Sequence, residues 1–162
     1  MNVLCIVRER LLDIPVLYLS SHIVRTKADY YRLLQSVRDD DTWEDWVLYV
    51  LEAVETTSRQ TIGTIHAIKS ALFDYKHRIR TGYKFYSQDL INNLFMHPYT
   101  KIEFVQRDLG VSRVTATRYL EALADGGYVV KQRIGRGNYY INTALTNALQ
   151  PGGPPPAVPG PP

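Results

Sequence analysis

The stretch DLGVSRVTATRYLEALADGGYVVKQRIGRGNYYI, residues 108–141, leaves few folds open. Gly110 stops one helix and Ser112 is placed to cap the next. Ala116, Tyr119, Leu120 and Leu123 recur at helical spacing before Gly126 and Gly127 end that helix. YVVKQRI and NYYIN are rich in strand formers and flank a tight GRG, the signature of a short hairpin. Upstream, YSQDLINNLFMHP gives a helix capped by Ser87 and stopped at Pro98, and TKIEFVQRDLG gives another with Thr100 as its expected cap. Helix, helix, turn, helix, hairpin is the order of a winged helix-turn-helix, whose connecting turn often holds a glycine, as LGVS does.

The first half carries a different pattern, helical throughout, so the fold class expected for the chain is mainly α. Met1, Val3, Leu4, Val7, Leu11 and Leu12 fall near helical spacing with no capping residue before them, so the chain is expected to begin inside a helix. Ile14 and Pro15 break it, because the residue before a proline is pushed out of the helical region. PVLYLSSHIVRTKADYYRLLQSVR then predicts a second helical stretch with Tyr30, Leu33, Leu34 and Val37 on one face. After DDDTW, the residues Trp43, Trp46, Val47, Val50, Leu51 and Val54 have the spacing of a buried stripe. The pattern runs on through Ile62, Ile65, Ile68, Leu72 and Tyr75, predicting one long helix or two joined near Gly63, with its end at KHRIRTGY.

Charge is distributed unevenly between these halves. Residues 1–96 hold 12 Lys/Arg and 12 Asp/Glu, whereas residues 97–162 hold 7 and 4, so the whole net charge of +3 lies in the C-terminal part. A single cysteine, Cys5, excludes an internal disulfide and fits a reducing cytoplasm; it also argues against a structural zinc site. MNVLCIV is interrupted by Arg8, Glu9 and Arg10 far short of a membrane span, so neither a signal peptide nor a membrane association is expected.

A rotation of about 100° per residue places Arg113, Val114, Thr117, Arg118 and Glu121 away from the core positions of the helix that Ser112 caps. In a winged helix those side chains enter the major groove of double-stranded DNA. Ser112, Thr115 and the helix N-terminus lie at the groove's edge, within reach of phosphate. Lys131, Arg133 and Arg136 belong to the hairpin, where a wing adds sequence-independent affinity. Five cations against Glu121 and Asp125 on these elements favour DNA. The alternative is a docking or dimerisation module whose basic residues form a solvated face, in which case the partner is a protein target or a second copy.

Three segments also resemble, in order, the C-terminal portion of bacterial Fic-family proteins (filamentation induced by cAMP): LLDIPVLYLSSHIVRTKADYYRLLQSVR, WEDWVLYVLEAVETTSRQT and the run from SQDLINNLF to YYINTAL. The likeness implies C-terminal helices of a Fic fold over residues 1–82, a winged helix-turn-helix over 83–149 and, outside it, a tail over 150–162 whose PGGPPPAVPGPP is expected to be disordered. Members of the family typically transfer AMP from ATP to a hydroxyl of a target protein, so ATP and Mg2+ are implied for the intact family. The likeness also makes Tyr30 and Tyr31 of TKADYY candidates for a nucleotide contact, against the simpler reading of a tyrosine pair in the core.

The family's catalytic signature is H-P-F-x-x-G-N-G-R, whose histidine acts as general base while the glycine loop and arginine hold phosphates. This sequence does not contain it. In the family the signature directly precedes the helix that MNVLCIVRERLLDIP resembles, which places Met1 just downstream of it. HPYTKIE at His97 lacks the glycine loop, and His22, His66 and His77 stand apart as ordinary helix residues. No catalytic residue, metal ligand or bound cofactor is therefore expected in this chain, because AMP transfer needs a base and a phosphate cradle.

Overall fold

The computed structural model describes residues 7–10, 12, 13, 16–135 and 137–150. The helix expected at the start of the chain falls largely outside them, as do Arg136 and residues 151–162 of the tail. The chain divides into two compact units, Met1–Gly63 and Thr64–Pro162.

The N-terminal unit is helical: α1, Ser20–Arg25; α2, Lys27–Asp40; and the first part of α3, Trp43–Gly82. The single stretch expected from PVLYLSSHIVRTKADYYRLLQSVR is thus two helices. Thr26 separates them with φ −112° and ψ 35°. Its hydroxyl bonds back to His22 O at 2.9 Å and meets the Tyr49 hydroxyl at 2.7 Å, a local alternative to helix that threonine supplies readily. α2 ends on Asp41 in the left-handed region, φ 58°, a conformation that Asp tolerates better than most residues.

α3 is one helix of 40 residues, continuous through Gly63. Its buried face in this unit is not the expected stripe. Tyr49, Ala53 and Thr57 are buried, whereas Trp43, Val47 and Leu51 are 57%, 49% and 57% exposed. Both faces are apolar enough to bury, and the face chosen is the one with a small residue, Ala53, against which Leu17 and Leu19 pack. Leu34 of α2 is likewise exposed while Leu33 is buried.

The division between units falls within α3 rather than at residue 82. The last turns of α3 supply Tyr75 and Ile79 to the core of the C-terminal unit, with Leu90, Leu94, Val105, Leu120 and Tyr140. The remaining elements are α4, Gln88–Met96; β1, Tyr99–Thr100; α5, Ile102–Leu109; α6, Arg113–Asp125; β2, Val129–Ile134; β3, Gly137–Asn142; and α7, Thr143–Leu149. The strands form an antiparallel sheet in the order β1-β3-β2, with Val129 opposite Asn142 and Ile134 opposite Gly137. Three helices closed by a hairpin and a short first strand follow the element order expected from the residues, with the hairpin standing as wing-like strands.

The caps explain most of these boundaries. Ser87 Oγ accepts from Leu90 N at 3.1 Å and Ser112 Oγ from Thr115 N at 3.2 Å, each satisfying an amide that the helix leaves open. Gly110 takes φ 66° in the turn before α6, a conformation costly for any residue with a Cβ. Thr100 does not cap α5. Lys101 holds the cap position without a side-chain bond, while Thr100 is buried in β1 and donates to Asn93 Oδ1 at 2.6 Å. α7, which the strand pattern of NYYIN obscures, is capped by Asn142 Oδ1 accepting from Leu145 N at 3.0 Å.

Candidate nucleic-acid interface

α5, the Gly110 turn and α6 form the helix-turn-helix, and α6 is held by its inner face. Ala116, Leu120 and Leu123 are fully buried, and Tyr119 stacks on Phe85 with ring centroids 4.2 Å apart. The opposite face therefore stands in solvent. Val114 is 80% exposed, Arg113 and Arg118 are exposed, and the first turn of α6 contains no acidic residue to offset the positive end of the helix dipole.

The hydroxyls expected there serve the helix itself. Ser112 Oγ is the cap and also lies 3.0 Å from Thr115 Oγ1. Thr117 Oγ1 donates to Arg113 O at 2.8 Å. Arg113 is lightly held, its guanidinium 3.7 Å from Glu103. Arg118 leans over the Tyr119 ring at 5.7 Å and makes no ion pair among the described residues.

The hairpin contributes unequally. Lys131 lies opposite Tyr140, and Arg133 opposite Asn138, so strand alternation sets both cations on the face of the sheet that meets α6. Arg133 is exposed and makes no ion pair among the described residues. Lys131 is engaged: its ammonium donates to Glu121 Oε1 at 2.6 Å. The same oxygen accepts from the Tyr140 hydroxyl at 2.8 Å. These two bonds, Lys131 first, hold the Glu121 carboxyl below its ordinary range. Glu121 was expected to face the groove; instead it is turned to the sheet because a lysine and a buried tyrosine both need its oxygen. Spacing along one helix carries no signal of such a pairing across the sheet. Arg136 lies outside the described residues.

The sheet's other face is apolar apart from Gln132 and partly bare. Val130 and Ile134 are exposed there beside Tyr99. Lys101, which the sequence pattern did not single out, sits 4.2 Å from the Tyr139 ring centroid at its edge.

In the N-terminal unit, Tyr30 is packed among aromatic rings, 5.3 Å from Tyr31, 5.2 Å from Trp46 and 6.3 Å from Tyr49. Tyr31 is exposed, with Lys27 5.9 Å from its ring centroid. Neither lines the cleft of about 530 Å³ in this unit, whose walls include His22, Asp29, Arg32, Asp45, Tyr49 and Glu52. Three carboxylates against one arginine repel a triphosphate, and among the described residues no group of three His, Cys, Asp or Glu side chains converges on a metal position. The residues lining this cleft thus do not suit a triphosphate.

Residues 73–145 match the family model of the C-terminal domain of SoFic-like protein adenylyltransferases. Over these residues the chain carries the C-terminal domain of a Fic-family protein. The match begins in the last turns of α3 and runs through the hairpin into α7. This Fic-family domain therefore includes Tyr75 and Ile79, the two α3 residues that its core requires. No helix among the described residues is long and apolar enough to cross a membrane.

Proposed function

We propose that the C-terminal unit of this Fic-family chain binds duplex DNA, with α6 in the major groove and the β2–β3 hairpin beside the backbone. The observation that carries this reading is the outward face of α6. Arg113, Val114 and Arg118 stand free of the core on a capped helix that follows the Gly110 turn, with Arg133 on the neighbouring hairpin. Arginines so placed suit bidentate bonds to guanine, and Val114 suits a thymine methyl. The family activity, AMP transfer to protein hydroxyls, needs a base and a phosphate cradle that this sequence lacks, so the chain alone is proposed to be inactive in that reaction. A cytoplasmic location agrees with a DNA target.

Docking to a protein is the second reading, supported by the exposed Tyr99, Val130 and Ile134 on the sheet's other face. Amide chemical shifts measured while duplex DNA is added separate the two. Perturbations clustered at 112–118 and around Arg133 are expected; no perturbation at low salt would leave the apolar sheet face as the better candidate.

A further inference from the structure

Glu121 joins three elements through one oxygen. It lies on α6, and its Oε1 accepts from Lys131 of β2 at 2.6 Å and from Tyr140 of β3 at 2.8 Å. The Tyr140 ring is fully buried, so its hydroxyl needs a partner at this place. A neutral amide oxygen would serve that need equally well. The negative charge has a distinct effect: it engages the ammonium of Lys131, one of the hairpin cations nearest the recognition helix, and adds repulsion toward a polyanion.

Phosphate contacts carry affinity but no sequence information, whereas contacts to base edges carry the discrimination. Neutralising a wing cation therefore lowers binding to all sequences while leaving Arg113 and Arg118 to read bases. We propose that Glu121 is a specificity-determining residue of the DNA-binding site, withholding Lys131 from the phosphate backbone and so suppressing sequence-independent affinity. This rests on the DNA-binding reading above.

The full chain, the Glu121→Gln variant and the Glu121→Gln/Lys131→Ala double variant would be titrated against mixed-sequence duplex DNA between low and moderate salt, with thermal melts to verify folding. Glu121→Gln is expected to bind about three- to ten-fold tighter at low salt, with a salt slope steeper by about one, the signature of one added phosphate contact. The double variant is expected to lose that gain. Unchanged or weaker binding by folded Glu121→Gln, where the wild type binds, overturns the inference and leaves the DNA reading standing; so does a gain that survives in the double variant. Absence of wild-type binding overturns both. Side-chain NMR of Lys131 tests the wild type directly: its ammonium signal is expected to stay in place when DNA is added, and a shift to a phosphate-bound position would contradict the withholding.

Discussion

Gly126, at the end of α6, has an ordinary φ of −78°, so its need for glycine is one of space. A Cβ there would collide with the Tyr83 hydroxyl and come within 2.9 Å of the Tyr128 ring. Tyr83 cannot simply step aside, because its hydroxyl donates to Ala122 O and its ring packs against Phe85 and Tyr128. Gly126→Ala is therefore expected to destabilise the C-terminal unit by about 1–3 kcal/mol in urea unfolding. Asp108 sets a different limit. It accepts from Arg107 Nε and Asn93 Nδ2, each at 2.7 Å, and Asn93 in turn accepts from the buried Thr100 hydroxyl. Arg107 chiefly, then Asn93, holds the Asp108 carboxyl below its usual range, as Lys131 and Tyr140 do for Glu121. The stabilisation is complete above the unfolded carboxylate pKa of about 4 and is lost as pH falls through the depressed folded values. Acid unfolding of Asp108→Asn should show a shallower dependence on pH than that of the wild type; an identical pH profile would dismiss the network as a source of acid sensitivity. At the other extreme, burial keeps Tyr75, Tyr128 and Tyr140 neutral beyond the ordinary tyrosine range. Stability should therefore decline as pH rises above about 10.

Among the elements, the end of α3 decides where the C-terminal unit begins. Ile79 is completely buried, and the Tyr75 hydroxyl donates to Tyr128 O at 2.7 Å, tying the helix to the residue just before β2. Ile79→Ala is expected to cost about 2–5 kcal/mol, as a large-to-small change in a closed core does. A fragment starting at residue 64 should melt cooperatively, while one starting at residue 83 should not; equal melts would place the boundary at the end of α3. The later elements were readable in the sequence because glycines and serines mark them. Ser87, Gly110 and Ser112 each take the role their chemistry suggests, and Gly135 follows β2 with a φ of 60°. Thr100 misleads because a threonine suits a cap and a strand equally, and the deciding partner, Asn93, lies in another helix. Trp43, Val47 and Leu51 mislead for a related reason. Periodicity shows that a face is apolar, but Tyr49 and Ala53 repeat at the same helical interval, and only packing selects between the faces.

At the scale of the molecule, the net charge of +3 is concentrated in the C-terminal part that matches the Fic-family C-terminal domain, which is what the proposed reading of DNA builds on. The candidate site was legible as a set of positions, since α6 exposes the arginines that its spacing puts outward. It was not legible as electrostatics, because Lys131 and Glu121 are ten residues apart and meet only across the sheet. Two cations without an ion pair among the described residues, Arg118 and Arg133, with a lightly held Arg113, make a small footprint, so binding should be weak, with a shallow salt slope of about two to three. The most direct measurement is a fluorescence-anisotropy titration of the full chain with mixed-sequence duplex DNA at two salt concentrations, beside the Arg113→Ala/Arg118→Ala variant. Saturable binding that weakens with salt and falls at least ten-fold in the variant is the expected result. A folded wild-type chain that ignores duplex DNA at low salt, or a variant that binds it as well as the wild type, would contradict the assignment of α6 as a reader of DNA.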